Sequence, residues 1–187
     1  SHTEMQQQAA REAAAMLGIR EVFFHGLPDQ RLDQVGLLEV VRPIERHVRE
    51  LQPDVVLCPP AEDVNQDHRA AFDATMIAVR PTPDCPVRLT MAYEVLSSTE
   101  WCSPTKAQFQ PDVYFDIASV MDRKLAALEA YGKTHVSELR QFPHPRSLEG
   151  LQVYAQQRGL SVGLHCAEAF RLVRAVNWPL SPVFAEQ

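Results

Sequence analysis

Cysteine is scarce and scattered in this chain of 187 residues: Cys58, Cys85, Cys102 and Cys166. No two of them stand at the short spacing of a zinc knuckle, and four are too few for a disulfide scaffold. Reduced thiols in a cytoplasmic protein are the expectation. Basic clusters are missing, and the formal net charge is −6, which argues against a nucleic-acid footprint. No apolar run approaches the roughly 20 residues of a membrane helix, so no membrane partner is expected. The first residues, SHTEMQQQ, are polar and lack the apolar core of a signal peptide; they read as a cut end or a tag remnant. Nucleotide phosphates have no loop built for them, because neither GxGxxG nor GxxxxGK[ST] occurs. A G-x-S-x-G elbow is absent as well. No internal repeat or low-complexity linker divides the chain, and one domain is expected over residues 1–187.

What is present is an ordinary globular composition, 45% hydrophobic and 22% charged, enough for one sizeable core. The most informative stretch runs from Asp54 to Pro81. Val55-Val56-Leu57-Cys58 reads as a buried strand, and Pro59 and Pro60 end it. A polar loop follows with Asn65-Gln66-Asp67-His68-Arg69, and then a helical pattern with Phe72, Met76 and Val79 on one face. A loop at the carboxyl end of a strand is where open α/β sheets place their chemistry.

The remaining elements follow in order. A helix over 3–17 stops at Gly18, and Ile19–Phe24 reads as a strand. Asp33 is expected to N-cap a helix to about Leu51, kinked or restarted at Pro43. Arg88–Val95 alternates as a half-buried strand, with Leu89, Met91, Tyr93 and Val95 on one side. A long loop over 96–111 carries Glu100 and Trp101. Val113–Ile117 is a further strand, Ser119 is expected to N-cap a helix through Tyr131, and 133–146 is irregular. Ser147 caps a helix that Gly159 stops, and Ala167–Val173 is the last strand. Strands alternating with helices predict an α/β, Rossmann-like, mostly parallel sheet with helices on both faces. Such a domain rarely opens with a helix. A first strand and helix are expected ahead of Ser1 and are not among these residues.

His68 is the sharpest chemical candidate. It lies in the first turn of a helix after a strand, with Glu62, Asp63 and Asp67 nearby, so one ring nitrogen can ligate a metal while the other is oriented by a carboxylate or carbonyl. The bland reading is a histidine that only hydrogen-bonds in its loop. Asp67 also suits the helix dipole, and Asn65 is a good N-cap. Asp29 and Arg31 sit in a turn that also follows a strand; they read equally as a polar ligand site or as a solvated turn. Trp101 can stack on a ligand face or anchor its loop. His144 and Arg146 flank Pro145 and suit either a proton donor beside an anion holder or a capped loop.

The stretch Pro53–Val56 through Asn65–Arg69 resembles the signature of the PIG-L/LmbE-like family of zinc-dependent N-acetyl-sugar deacetylases. Leu17-Gly18-Ile19 with Gly26–Asp33 resembles the segment that follows the family's second strand. Ser97–Trp101, His144–Ser147, Arg158-Gly159 and Ala167–Phe170 resemble a bacterial subgroup. The resemblance covers essentially the whole chain, in order. It implies a Rossmann-like α/β domain, a Zn2+ cofactor and an aminosugar conjugate as the small-molecule partner. Zinc lowers the pKa of its bound water and polarises the amide carbonyl, so hydrolysis releases acetate and a free amino sugar. Residue by residue, His68 matches the third zinc ligand and Asp67 the acidic neighbour that orients catalytic side chains. Asn65 stands where some relatives place an oxyanion-stabilising histidine. Beside that reading, His144 is a candidate proton donor to the leaving amine, and Asp29, Arg31, Glu100 and Arg146 are candidates on the sugar side, with the loop-capping and solvated-turn alternatives still open.

The family's HPDD motif, which carries two ligands and the general base, is nowhere in the sequence. Catalytic zinc takes three protein ligands. Two readings stay open. In one, the chain is part of a full deacetylase whose HPDD strand lies upstream or on a separate chain. In the other, it is a truncated, non-catalytic relative that binds a sugar conjugate or acts as an assembly module. Self-association, or pairing with the missing N-terminal segment, is expected from the lost sheet element.

Overall fold

The computed structural model describes residues 2–132 and 139–178. Residues 133–138 of the stretch expected to be irregular, with His135, lie outside the described residues. Among these described residues the helices are α1 (His2–Leu17), α2 (Leu37–Leu51), α3 (Gln66–Ala78), α4 (Met121–Tyr131) and α5 (Leu148–Leu160). The strands among them are β1 (Val55–Cys58), β2 (Leu89–Tyr93), β3 (Val113–Asp116) and β4 (Ala167–Ala175). Among the described residues the strands form one sheet in the order β1-β2-β4-β3. β1 and β2 are parallel, with Val55 opposite Leu89 and Cys58 opposite Ala92. β4 runs antiparallel to β2, with Tyr93 opposite Phe170 and a register shift between Thr90 and Met91. The fold is α/β, with a mixed sheet flanked by helices. No helix among the described residues is long and apolar enough to cross a membrane.

The chain divides into two compact units, residues 1–26 with 114–169 and residues 27–113 with 170–187. In the first, α1 packs on α4 through small side chains: Ala13 meets Ala127 and Ala130, with Tyr131 against them. A second cluster joins Ile117, Met121, Ala155 and Cys166, backed by Leu125 and Leu151. The Arg11 guanidinium lies 4.9 Å from the centroid of the Phe24 ring. In the second unit, α2 packs on α3 through Val40, Val41 and Ala74, with Leu27, Leu32, Val35 and Ile44 around them. Val48, Val79 and Val87 continue that core towards Val56 of β1.

Several local expectations give way to packing. Ile19–Phe24 is not a strand. Its apolar residues favour one, but a strand needs a neighbour for its backbone groups, and no strand among the described residues pairs with it; Ile19, Phe23 and Phe24 are exposed. Asp33 lies in a 3-10 turn over Leu32–Gln34, and Gly36 occupies the N-cap of α2. That helix runs through Pro43 as one element. Val40, Val41 and Ile44, on both sides of the proline, are held in one core, which offsets the missing donor. β2 is buried on both faces at Thr90, Met91 and Ala92. It is not half-buried, because side chains on both of its faces, Met91 on one and Thr90 with Ala92 on the other, are covered. Ser119 falls inside a 3-10 turn over Ala118–Val120, and Asp116 accepts from the Ala118 amide ahead of it at 2.9 Å. Ser147 does cap α5, accepting from Gly150 N. Gly159 lies within α5 instead of ending it. A methyl group there would meet Leu164 O at 2.7 Å and Cys166 N at 2.9 Å, so glycine is needed for close approach of the following turn.

Candidate functional site

The site is built at the carboxyl end of β1, within the second unit. Beyond Pro59 and Pro60 the loop turns on Asp63, whose carboxylate accepts from Asn65 N at 2.8 Å. That contact spans two residues and is a local Asx turn. Arg69 closes the loop from the helix side, donating to Asp63 O at 2.7 Å and Val64 O at 2.8 Å. Asn65 caps α3, its Oδ1 accepting from Asp67 N at 2.9 Å. These contacts fix the first turn of α3, which carries His68.

Asp63 is the centre of this arrangement. It is only 1% exposed. Ser98 Oγ donates to its Oδ1, and Thr99 Oγ1 donates to its Oδ2 at 2.9 Å. His68 Nδ1 lies 3.2 Å from Oδ2 and 3.4 Å from Ser98 Oγ. Burial pushes the Asp63 carboxyl up. The hydrogen bonds from His68, Ser98, the Asn65 amide and Thr99 outweigh it and hold the group below the ordinary carboxylate value. Burial pushes Tyr93 up, with the Cys58 thiol and the Asp63 carboxylate adding to the rise.

The loop after β2 is itself braced. Thr99 Oγ1 accepts from Val95 N at 2.8 Å. Glu100 accepts from Ser97 N at 2.6 Å through Oε1 and from Ser98 N at 3.2 Å through Oε2. That carboxylate supports a left-handed Ser97, at φ 65. Trp101 beside it is exposed.

Of the residues picked from the sequence, Asn65, Asp67 and His68 come together as expected for one helix start. Asp67 Oδ1 accepts from Leu32 N at 3.0 Å, which ties the turn carrying Asp29 and Arg31 to the start of α3. Asp29 and Arg31 are exposed. Glu100 enters through the neighbouring Ser98-Thr99. His144 and Arg146 lie in the first unit, where His144 Nδ1 accepts from Arg146 N at 3.1 Å. Sequence reasoning left Asp63 as one of several nearby carboxylates and missed Ser98 and Thr99. The Asp-x-Asn spacing before a helix signals the Asx turn, but no local pattern pairs Asp63 with side chains 35 and 36 residues away.

Residues 1–79 match the model of the PIG-L family, GlcNAc-PI de-N-acetylase. No curated protein matches the chain. Solved structures share its fold. The conserved protein TT1542 from Thermus thermophilus is 25% identical, with a TM-score of 0.69, over 94% of this chain and 76% of its own. The N,N'-diacetylchitobiose deacetylase from Pyrococcus horikoshii is 19% identical, with a TM-score of 0.69, over 98% and 68%. GalB, the 4-carboxy-2-hydroxymuconate hydratase from Pseudomonas putida KT2440, is 21% identical, with a TM-score of 0.64, over 95% and 75%. Two of these neighbours are named for different activities, a deacetylase and a hydratase, so the fold by itself does not select the reaction.

The zinc implied by the PIG-L resemblance can be tested against the donors present. Among the described residues no group of three His, Cys, Asp or Glu side chains is placed to hold a metal ion. His68 offers one nitrogen, and both Asp63 oxygens are already taken. The described residues do not by themselves fit a three-ligand zinc centre.

Proposed function

We propose that this chain serves deacetylase-type hydrolysis, removing the N-acetyl group of an aminosugar conjugate to give acetate and a free amine. The family match over residues 1–79 supports the general class, and the deacetylase among the structural neighbours is consistent with it. The single observation that carries the reading is His68, held at the start of α3 against the buried Asp63 carboxylate. This is the environment of an imidazole poised for ligation or proton handling. In this reading Asp29, Arg31 and Trp101 bind the sugar, with Glu100 shaping the Trp101 loop. Asn65 offers an amide donor, and Asp67 keeps the Asp29–Arg31 turn beside α3. Zinc belongs to the proposal with His68 as one ligand. The remaining donors are expected from an HPDD-type segment that these 187 residues lack.

The test is zinc content and acetate release from N-acetylglucosamine conjugates, measured for the chain alone and for the chain joined to an HPDD-bearing strand. The joined protein is expected to bind one zinc per chain and release acetate, and His68→Ala to lose both. Full zinc binding in His68→Ala would remove that residue from the site. A joined protein that stays metal-free and inert while binding the conjugate would favour a non-catalytic sugar-binding module.

A further inference from the structure

The hydrogen-bond network around His68 fixes which ring nitrogen carries the proton. Asp67 N donates to Asn65 Oδ1, so the amide orientation of Asn65 is set and its Nδ2 is the end that faces His68 Nε2, at 3.3 Å. An NH2 group only donates, so Nε2 meets it as an acceptor. On the other side, Nδ1 faces Asp63 Oδ2 at 3.2 Å and Ser98 Oγ at 3.4 Å. The Ser98 hydroxyl hydrogen is committed to Asp63 Oδ1, so both oxygens near Nδ1 present lone pairs. A second lone pair on Nδ1 would be repelled by both.

From this we infer that Asp63 is a positioning residue: it holds neutral His68 as the Nδ1–H tautomer and keeps the Nε2 lone pair directed away, towards Asn65. Ser98 and Thr99 hold Asp63 in turn, so the loop after β2 sets the state of an imidazole at the start of α3. The value of this positioning to catalysis rests on the hydrolase reading; the tautomer itself does not.

The substitution Asp63→Asn separates the cause. Asn65 N is a fixed donor beside the Oδ1 position, so the carboxamide oxygen of an asparagine settles there. Its NH2 then takes the Oδ2 position, facing Nδ1 of His68, where it needs an acceptor. The Asn65 NH2 group still faces Nε2, so both ring nitrogens then meet donors and the preference for Nδ1–H should be lost.

The experiment is long-range proton–nitrogen NMR on the full, metal-free chain with nitrogen-15 histidine, at a pH where the rings are neutral. The His68 signals are assigned by their loss in His68→Gln. The wild-type chain is expected to show Nδ1–H at His68, Asp63→Asn to bring the two nitrogen shifts towards each other as that preference is lost, and Ser98→Ala to leave them in wild-type order. Nε2–H in the wild-type chain would overturn the inference, and this holds even if Asp63→Asn does not fold. An unchanged tautomer in a folded Asp63→Asn chain would also overturn it, as would a switch in Ser98→Ala, which would pass the role to Ser98. No metal or substrate enters the measurement. Absence of acetate release would therefore sink the proposed function and leave the tautomer assignment standing, and the reverse also holds.

Discussion

Asp63 concentrates more interactions than any other side chain in the site, and its removal has consequences for stability as well as for His68. Asp63→Asn leaves donors facing an NH2 group in a buried place, a loss of about 1–3 kcal/mol. The pH dependence follows from the direction of its shift. The folded-state pKa lies below the unfolded value, so the unfolded chain binds the proton more tightly. The stabilisation is full above the unfolded pKa, near ~3.9, and is lost as pH falls through the folded value. Urea midpoints of the wild-type chain should therefore fall more steeply with acid than those of Asp63→Asn, and parallel curves would contradict the role given to the carboxylate. Asn65→Ala removes the α3 cap and should cost about 0.5–2 kcal/mol, whereas Asn65→Asp, which can still cap, should cost less. Chemical denaturation of the two variants side by side checks this.

At the scale of elements, the sequence made β1, its polar loop and α3 legible, because an apolar run, two prolines and an Asx N-cap are all local signals. The same held for α1 with its Gly18 stop, and for the Ser147 cap. What local patterns could not show was decided by neighbours. The alternation in β2 was real in the sequence and irrelevant in the sheet, since both faces are covered. Ile19–Phe24 has strand composition without a described partner. Gly159 looked like a helix stop because glycine commonly is one, while its contacts come from residues 164–166. Gly159→Ala should accordingly cost about 1–3 kcal/mol through overpacking, where an ordinary glycine-to-alanine change inside a helix would be favourable by about 1 kcal/mol. A thermal melt distinguishes the two signs. Met91→Ala, in the buried centre of β2, should cost about 2–5 kcal/mol, a loss a half-exposed position would not give.

At the scale of the whole molecule, the resemblance to the PIG-L family was legible because several short motifs recur in order, and residues 1–79 match that family's model. The latch between Asp63 and the loop after β2 was not, since it depends on folding distant segments together. The sheet also has an exposed flank. Among the described residues β1 has β2 as its single strand neighbour, and Val55 and Leu57 of β1 are exposed. An apolar edge strand is a template for further pairing. Leu57→Lys should lower concentration-dependent association in light scattering, and a wild-type chain that stays monomeric at all concentrations would count against β1 as the pairing edge.

Trp101 gives this architecture an optical side. The chain has two tryptophans, and Trp101 stands two positions after Thr99, the residue whose hydroxyl grips Asp63. The residue is 52% exposed, so its emission is open to solvent and to collisional quenchers. With Trp178→Phe as background, the remaining fluorophore reports on the clasp around the imidazole, making the grip on Asp63 something that can be watched in real time as ligand, acid or denaturant loosens it.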